Sequence, residues 1–350
     1  MARDDDTRAH DEPAPFSAII RLANFRPFYN LLKCVAFRDK ALFRLSLAGF
    51  EAIISDSKSV VGHAFYSAEL FDEFTILGGS VPQHIQSRIL PNANGGNANG
   101  DNEHGPHAPQ PHQDPDAVAA AAVTVSPSSF VVSLAVFLDC LNMFGDITPT
   151  QSEKPSWSSN APTTPSISKS AQTHSKLLLS YDEAASEVVV ELSSSDCTIR
   201  AVLSTYDADD ADDDELEETF REDPEISRFV IKSEWLKEAF QELDASSDRV
   251  TVLVSPEQPY FQISSSGMSG SAEIEYPKNT DIMESFSCQE RSLFSYKLSL
   301  LQPSLKALAM SSRIQIKTNS RGFVSMQHLV QVSETKQSFV SFTVAPLLDE

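Results

Sequence analysis

The sequence predicts an α+β fold of two similar halves, built of antiparallel strands with few helices. Three observations point there. The run Val250–Phe286, VTVLVSPEQPYFQISSSGMSGSAEIEYPKNTDIMESF, sets strand, turn, strand, glycine-bearing kink and strand one after another with no low-complexity filler. A strand that leads into a helix with apolar Phe28, Leu32 and Val35 returns 208 residues later with Leu236, Phe240 and Leu243. And 350 residues exceed what one core usually holds, since single cores seldom grow past roughly 250.

In chain order, residues 1–15 read as a disordered tail, and Phe16–Leu22 as a strand. Asn24 is placed to cap a helix with Pro27 in its tolerant first turn. Its buried stripe is Phe28, Leu31, Leu32, Val35 and Ala36, and its polar face carries Arg26, Asn30 and Lys33. Ala41–Leu47 and Phe50–Ser55 form a hairpin around Ala48 and Gly49, followed by a strand over Ser59–Tyr66 and a short helix near Ala68–Phe71. Pro91–Asp116 has no aliphatic larger than alanine and no aromatic, so it cannot offset the entropy of ordering itself and reads as an insertion.

Phe130–Ser133 resumes as a strand, and Leu134–Phe144 as a helix with Leu134, Leu138 and Leu141 inward. A second Ser/Pro/Thr-rich insertion covers residues 146–174. Lys176–Tyr181, Glu187–Leu192 and Cys197–Ser204 are three consecutive strand signals closing the first half. Asp207–Asp223 then packs eleven carboxylates against Arg221 alone, which reads as a solvated boundary segment whose apolar Leu216 and Phe220 could dock on a sheet.

The second half opens with a strand from Ile226 and a helix over SEWLKEAFQEL, with Ser233 as N-cap and Trp235, Leu236, Ala239, Phe240 and Leu243 at helical spacing. Val250–Val254 and Tyr260–Ser264 pair across S-P-E-Q-P, whose two prolines forbid a continued strand. Ser271–Tyr276 sets Ala272, Ile274 and Tyr276 on one face and Glu273 and Glu275 on the other. Tyr296–Leu300 reads as a strand, and Pro303 as the opening of a helix with Leu305, Leu308 and Ala309. Arg313–Thr318 and Phe323–Val330 form a hairpin at N-S-R-G, where Gly322 supplies a positive φ, and Gln337–Val344 is the last strand. The stretch VSLAVFLDCLNMF at Val132–Phe144 parallels LSLLQPSLKALAM at Leu298–Met310.

Composition narrows the function. A net charge of −22 argues against broad duplex binding, although ten of those charges (eleven acids less Arg221) fall in Asp207–Asp223. The four cysteines, Cys34, Cys140, Cys197 and Cys288, are scattered with no C-x-x-C pair, so neither a disulfide framework nor a zinc site is expected. MARDDDTRAHDE is polar and acidic rather than secretory, and apolar runs such as Ala117–Val125 fall far short of about 18 residues, so a soluble intracellular protein without membrane contact is expected. His104, His107 and His112 lie in low-complexity sequence, which makes a metal site there the weaker reading. No Walker loop, G-x-S-x-G elbow or H-E-x-x-H is present. A two-metal nuclease needs carboxylates on rigid elements, and Asp207–Asp223 reads instead as a loop, while Glu273 and Glu275 follow from strand alternation.

The blocks WLKEAFQELD, SPEQPYFQISSSGMSGSAEIEYPKNTDIMESFSC and YKLSLLQPSLKALAMSSRIQIKTNSRGFVSMQ fall in one order that resembles a family of DNA-damage checkpoint clamp subunits, the middle-named subunit of the nine-one-one ring, a heterotrimer related to PCNA. The resemblance is close over about a third of the chain and looser over most of the rest. It implies a DNA-clamp (PCNA-like) fold with two similar domains, each with antiparallel sheets outside and two helices on the inner face. The domains would be 16–206, with insertions 91–116 and 146–174, and 225–346, joined by an acidic connector at 207–224. It puts the helices Phe25–Phe37, Leu134–Phe144, Ser233–Leu243 and Pro303–Met310 on the channel wall, with Arg26, Lys33, Lys237 and Lys306 facing DNA and Arg38 just beyond.

By the same resemblance, Glu187, Val188, Val189 and Val190 in one domain and Ser271, Ala272, Ile274 and Tyr276 in the other belong to edge strands that meet neighbouring subunits, and Leu216 and Phe220 mark a client-docking region. Implied partners are two other clamp subunits, a clamp loader, double-stranded DNA or a primer-template junction bound without sequence preference, and checkpoint and repair proteins. The implied location is the nucleus, with no catalytic residue, cofactor or metal. Two rivals stay open: a metal-dependent 3′–5′ exonuclease, and a homotrimeric replication clamp of the PCNA type.

Overall fold

The computed structural model describes residues 15–78, 127–143, 176–194, 196–208, 215–244, 246–333 and 336–348. The insertions at 91–116 and 146–174, the histidines at 104, 107 and 112, and nearly all of the N-terminal tail lie outside them. The first half runs β1 (Ser17–Leu22), α1 (Arg26–Val35), β2 (Lys40–Ser46), β3 (Gly49–Asp56), β4 (Val60–Ser67), β5 (Glu73–Leu77), β6 (Ser128–Ser133), α2 (Leu134–Leu141), β7 (Lys176–Asp182), β8 (Glu187–Ser193) and β9 (Thr198–Ser204). After α3 (Glu215–Glu222) come β10 (Glu225–Lys232), α4 (Ser233–Glu242), β11 (Arg249–Val254), β12 (Phe261–Gly267), β13 (Gly270–Tyr276), β14 (Met283–Cys288), β15 (Ser292–Lys297), α5 (Leu298–Leu308), β16 (Ser311–Asn319), β17 (Val324–Gln331) and β18 (Gln337–Val344).

These strands make three antiparallel sheets, ordered β5-β1-β7-β8-β9, β14-β10-β16-β17-β18-β4-β3-β2-β6, and β13-β12-β11-β15. The order repeats. The segment β14-β10-β16-β17-β18 matches β5-β1-β7-β8-β9 element for element, and β4-β3-β2-β6 matches β13-β12-β11-β15. The nine-stranded sheet crosses between the halves at one joint, where β18 pairs with β4 from Phe339↔Phe65 to Val344↔Val60. Both halves share one continuous apolar core. Phe28 anchors it with rings of Phe50, Tyr66 and Phe71 edge-on at 5.1, 5.3 and 6.0 Å, an arrangement that favours the ring quadrupoles as well as burying area.

Several local expectations are corrected. Asn24 stands one residue too early to cap α1; Phe25 is the N-cap, and Asn24 Oδ1 accepts from the Arg26 backbone N–H at 3.2 Å. Ser233 is already inside α4, buried, with its Oγ 2.7 Å from Ser311 Oγ. Helix α5 begins at Leu298, not Pro303, and the preceding strand ends at Lys297. Pro303 stands inside this helix at its sixth position, where it removes the one bond to the Ser299 carbonyl, and the helix continues through it to Leu308. The two second helices therefore align Leu134 with Leu298 rather than Val132 with Leu298. Trp235 and Phe240 are half-buried; Leu236 and Ala239 carry the buried face of α4. Gly322 has φ +86, as its turn requires, and a Cβ there would meet the Phe294 ring at 2.4 Å.

Two corrections bear on the site. Glu187–Val190 is not an edge, because β8 pairs with β7 on one side and β9 on the other, from Glu187↔Asp182 and Glu187↔Ser204 onward. Of the acidic segment, 215–222 is helix α3 rather than a solvated loop. Its Leu216 is buried on Leu42, Ile53, Val61 and Val131. Lys58 to Glu215 (2.6 Å) and Arg321 to Asp223 (2.5 Å) brace its two ends.

Candidate functional site

The four longer-range helices form one row. α2 packs on α1, α1 on α5, and α5 on α4. Along their exposed faces stand four cations, Arg26 and Lys33 of α1, Lys306 of α5 and Lys237 of α4. Four acids offset them, Asp139 of α2 and Glu234, Glu238 and Glu242 of α4. The positive field therefore concentrates on the α1/α5 seam. There Cys34 Sγ lies 3.5 Å from Met310 Sδ. Burial pushes the Cys34 thiol up to about 11, against the opposing pull of Lys306 and Lys33, which places both ammonium groups near the same seam. Lys33 also lies over the Tyr29 ring, 5.7 Å from its centroid. Arg38, beyond the helix, is held by Asp56 of β3 at 2.5 Å. The Arg38 hydrogen bond keeps that carboxyl below its usual range despite some desolvation. The five cations expected to face DNA thus divide into the seam pair Lys33 and Lys306, Arg26 and Lys237 on separate helices, and one engaged arginine.

Edges supply the second feature. β13 ends the four-stranded sheet, as expected of Ser271–Tyr276, and β9 ends the five-stranded one. Ala272 and Ile274 are half-buried and Tyr276 is buried, its hydroxyl donating to Trp235 O at 2.8 Å and tying the edge to α4. Burial, with help from Glu238, pushes the Tyr276 hydroxyl up to about 12. The β12–β13 turn is pinned from outside. Asp244 Oδ2 accepts from the Ser269 N–H at 2.9 Å, and Ser246 Oγ from the Met268 N–H at 2.8 Å. Backbone and hydroxyl donors of Ser246, then the Ser269 N–H, hold the Asp244 carboxyl down at about 2.

Other terminal strands are partly shielded. Tyr206 bridges Val131 beside β6, and Leu347 N donates to Ser295 O at 2.7 Å beside β15. β5 and β14 also end their sheets, but β9 and β13 are the repeat counterparts of β18 and β4, the two strands already joined within the chain. Sequence reasoning missed β9 as an edge, because which strand ends a sheet is a long-range pairing that periodicity does not carry.

The third feature is a groove of about 360 Å³ on the outward face of the β18·β4 joint, walled by α3 and lined among others by Phe65, Phe220, Phe339, Lys317 and Arg221. Phe339 is 40% exposed. Phe220 faces this groove, whereas Leu216 is turned into the sheet and is not available to a ligand. His63 at its floor is buried, with Nδ1 3.1 Å from Glu51 Oε1 and Nε2 3.2 Å from Glu217 Oε1, so both ring nitrogens face carboxylates. Burial raises the Glu51 carboxyl, but His63 and Arg44 outweigh it and leave it below the usual range. Asn319 Nδ2 donates to Phe220 O at 3.3 Å and completes the anchoring of α3. Among the described residues no group of three or more His, Cys, Asp or Glu could hold a metal ion, and no helix is long and apolar enough to cross a membrane.

Comparison with known proteins adds the lineage of these parts. The family described as repair protein Rad1/Rec1/Rad17 matches residues 16–330. The chain is similar to the cell cycle checkpoint protein RAD1 of Homo sapiens, 28% identical over 336 residues, which are 96% of this chain and 94% of that protein. It is similar to the DNA damage checkpoint control protein rad1 of Schizosaccharomyces pombe, 30% identical over 140 residues, 40% of this chain and 42% of that one. It is also similar to the DNA repair protein Rad1 of Drosophila melanogaster, 20% identical over 345 residues, 97% of this chain and 98% of that one.

Proposed function

Because the chain belongs to the Rad1/Rec1/Rad17 family of repair proteins, we propose that it is a PCNA-like, non-catalytic subunit of a heterotrimeric ring that encircles DNA in the nucleus and recruits factors of the damage checkpoint and repair. Residues 16–206 and 225–346 are its two clamp domains, and 207–224 its connector. The single observation that supports this most is the β18·β4 joint. It welds two repeats of one strand order edge to edge, and it leaves unused on either side the counterparts of the same two edges, β9 and β13. Continuing such a joint from chain to chain is heterologous, head to tail, and closes into a ring when the rotation allows. The helix row fits the inner wall: its end helices α2 and α4 expose Val136 and leave Trp235 and Phe240 half-buried, apolar surface that a neighbour's helix would cover.

In this reading the ring acts by topology. Closure around the duplex gives residence without sequence readout, and the Lys33/Lys306 seam with Arg26 and Lys237 supplies weak phosphate contacts. Client segments of checkpoint and repair proteins dock in the groove beside Phe220, and a loader opens the ring. The test is the mass of the purified chain by light scattering, alone and mixed with two candidate clamp partners from the same organism. A monomer that becomes a 1:1:1 complex is the expected result. A stable homotrimer points to a replication clamp, and a monomer indifferent to both partners removes the ring.

A further inference from the structure

The β18·β4 joint also gives a register. On its outward face Phe339 stands opposite Phe65 and Ser341 opposite His63. The repeat carries these positions over. Ser17 faces Asp182 as Glu225 faces Asn319, and carried through the ladders this sets Leu192 at His328 and Ile199 at Val340, so Thr198 and Arg200 of β9 occupy the places of Phe339 and Ser341. Tyr66 faces Phe50 as Tyr276 faces Phe261, so Glu275 and Glu273 of β13 occupy the places of Phe65 and His63. The inward faces agree as well, since Ala272 and Ile274 stand where Gly62 and Ala64 do and pack on the same core. A strand docking on β13 by this geometry therefore presents two outward side chains to Glu275 and Glu273.

Those two carboxylates are exposed, and among the described residues neither is ion-paired; Gln262 Nε2 donates to Glu273 Oε1. A second copy of this chain would bring Arg200 to Glu273 but Thr198 to Glu275, half a match, and Arg200 already has Glu191 as its neighbour across the β8–β9 pair. It would also bring a second net charge of −22. Opposite charges directly across an antiparallel pair stabilise it and like charges destabilise it, and charge of one sign on both partners slows encounter. We propose that Glu273 and Glu275 are the specificity-determining residues of the β13 edge, and that they select a different clamp subunit whose docking strand carries basic side chains at both opposing positions. β9, with apolar Val202 48% exposed beside one arginine, takes a neighbour of other chemistry. The inference rests on the ring reading and adds to it which kind of neighbour each edge accepts.

The experiment measures binding of the full chain to each of the two candidate partner subunits separately, by titration at two salt concentrations, with hydrogen–deuterium exchange of residues 270–276 followed in parallel. One partner is expected to protect 270–276 and to bind more weakly at the higher salt. The double variant E273K/E275K weakens that partner about tenfold or more, as replacing two attractive cross-strand pairs by repulsive ones predicts, and leaves the other partner's affinity unchanged. The milder E273Q/E275Q lies between, which separates a charge effect from a misfolded variant. If 270–276 are protected and both variants bind as the parent does, charge selection is wrong while the edge joint stands. If the chain seals this edge with its own second copy, the choice of partner is wrong. If neither subunit protects 270–276, the ring reading itself falls.

Discussion

α1 and α4 hold the same place in the two repeats, 208 residues apart, yet they are differently embedded. α1 buries Phe28, Tyr29, Leu31, Leu32, Cys34 and Val35, whereas α4 buries only Ser233, Leu236 and Ala239. The difference comes from neighbours rather than from propensity. α1 lies inside the helix row, flanked by α2 and α5 and seated on β3, β4 and β18, while α4 ends the row with α5 alone beside it. Its charge follows suit, three glutamates against Lys237, where α1 carries Arg26 and Lys33 and no acid. A repeated fold thus repeats backbone and core but leaves each copy's surface to its surroundings.

The sharpest way to break the comparison is at Phe28 and Leu236, 1% and 2% exposed at equivalent positions. Phe28→Ala opens a cavity among three aromatic rings and should cost about 3–5 kcal/mol, near the upper end for a core truncation. Leu236→Ala should cost about 2–3 kcal/mol, since the open end of the row lets the site relax. Denaturant midpoints of the isolated chain measure both. Equal losses would mean that α4 is as tightly enclosed as α1.

A second contrast lies in the strands. Register makes His328 of β17 the counterpart of Leu192 in β8, and both are fully buried. Among the described residues the one hydrogen-bonding contact of His328 is from Nδ1 to Ser311 Oγ at 3.4 Å, and its Nε2 has no hydrogen-bond partner. Burial drives its pKa down from 6.5 to about 3. The unfolded chain therefore takes up a proton below pH 6.5 that the folded chain refuses until about 3. This group's contribution is complete above the upper value and shrinks through that window, by up to about 1.4 kcal/mol per pH unit. His328→Leu, which installs the residue of the other repeat, should flatten that part of the stability–pH curve. An unchanged slope in the variant would show that His328 is protonated in the folded protein.

Strand existence was legible because alternation writes the buried face directly, as Ala272, Ile274 and Tyr276 against Glu273 and Glu275 show. Sheet position was not. The edge role of Glu187–Val190 is implied by the resemblance alone, and whether a third strand covers that run depends on where 198–204 pairs, a contact that periodicity does not encode. Helix starts were misjudged at Ser233 and Pro303 for a related reason. In both cases the preceding strand turns directly into a helix, and tertiary partners replace a side-chain cap: Ser311 meets Ser233, and Asp248 O accepts from the Leu298 N–H at 2.9 Å. The acidic run hid α3 because its stabilisation comes from outside the segment, from the apolar seat under Leu216 and the cation Lys58. Of the site, the five cations are exposed, but that Lys33 and Lys306 stand near one seam, and that Arg38 pairs with Asp56, follows from the packing.

The smallest effect, and the finest test of the α1/α4 contrast, concerns phosphate binding by the assembled ring. Lys33 and Lys306 share a seam without a carboxylate on either helix, so their fields add, whereas Lys237 is screened by Glu234 and Glu238 within a turn. In a ring reconstituted with its partners, Lys33→Ala and Lys306→Ala should each weaken duplex binding by a few-fold at low salt and lower the log–log salt slope by about 1, as loss of one phosphate contact predicts. Lys237→Ala should change the slope by less than half as much, and Glu238→Gln should raise affinity slightly by unmasking Lys237. Fluorescence anisotropy across a salt series separates these cases. If Lys237→Ala matches Lys33→Ala, DNA runs along the whole helix row rather than along the seam between the repeats.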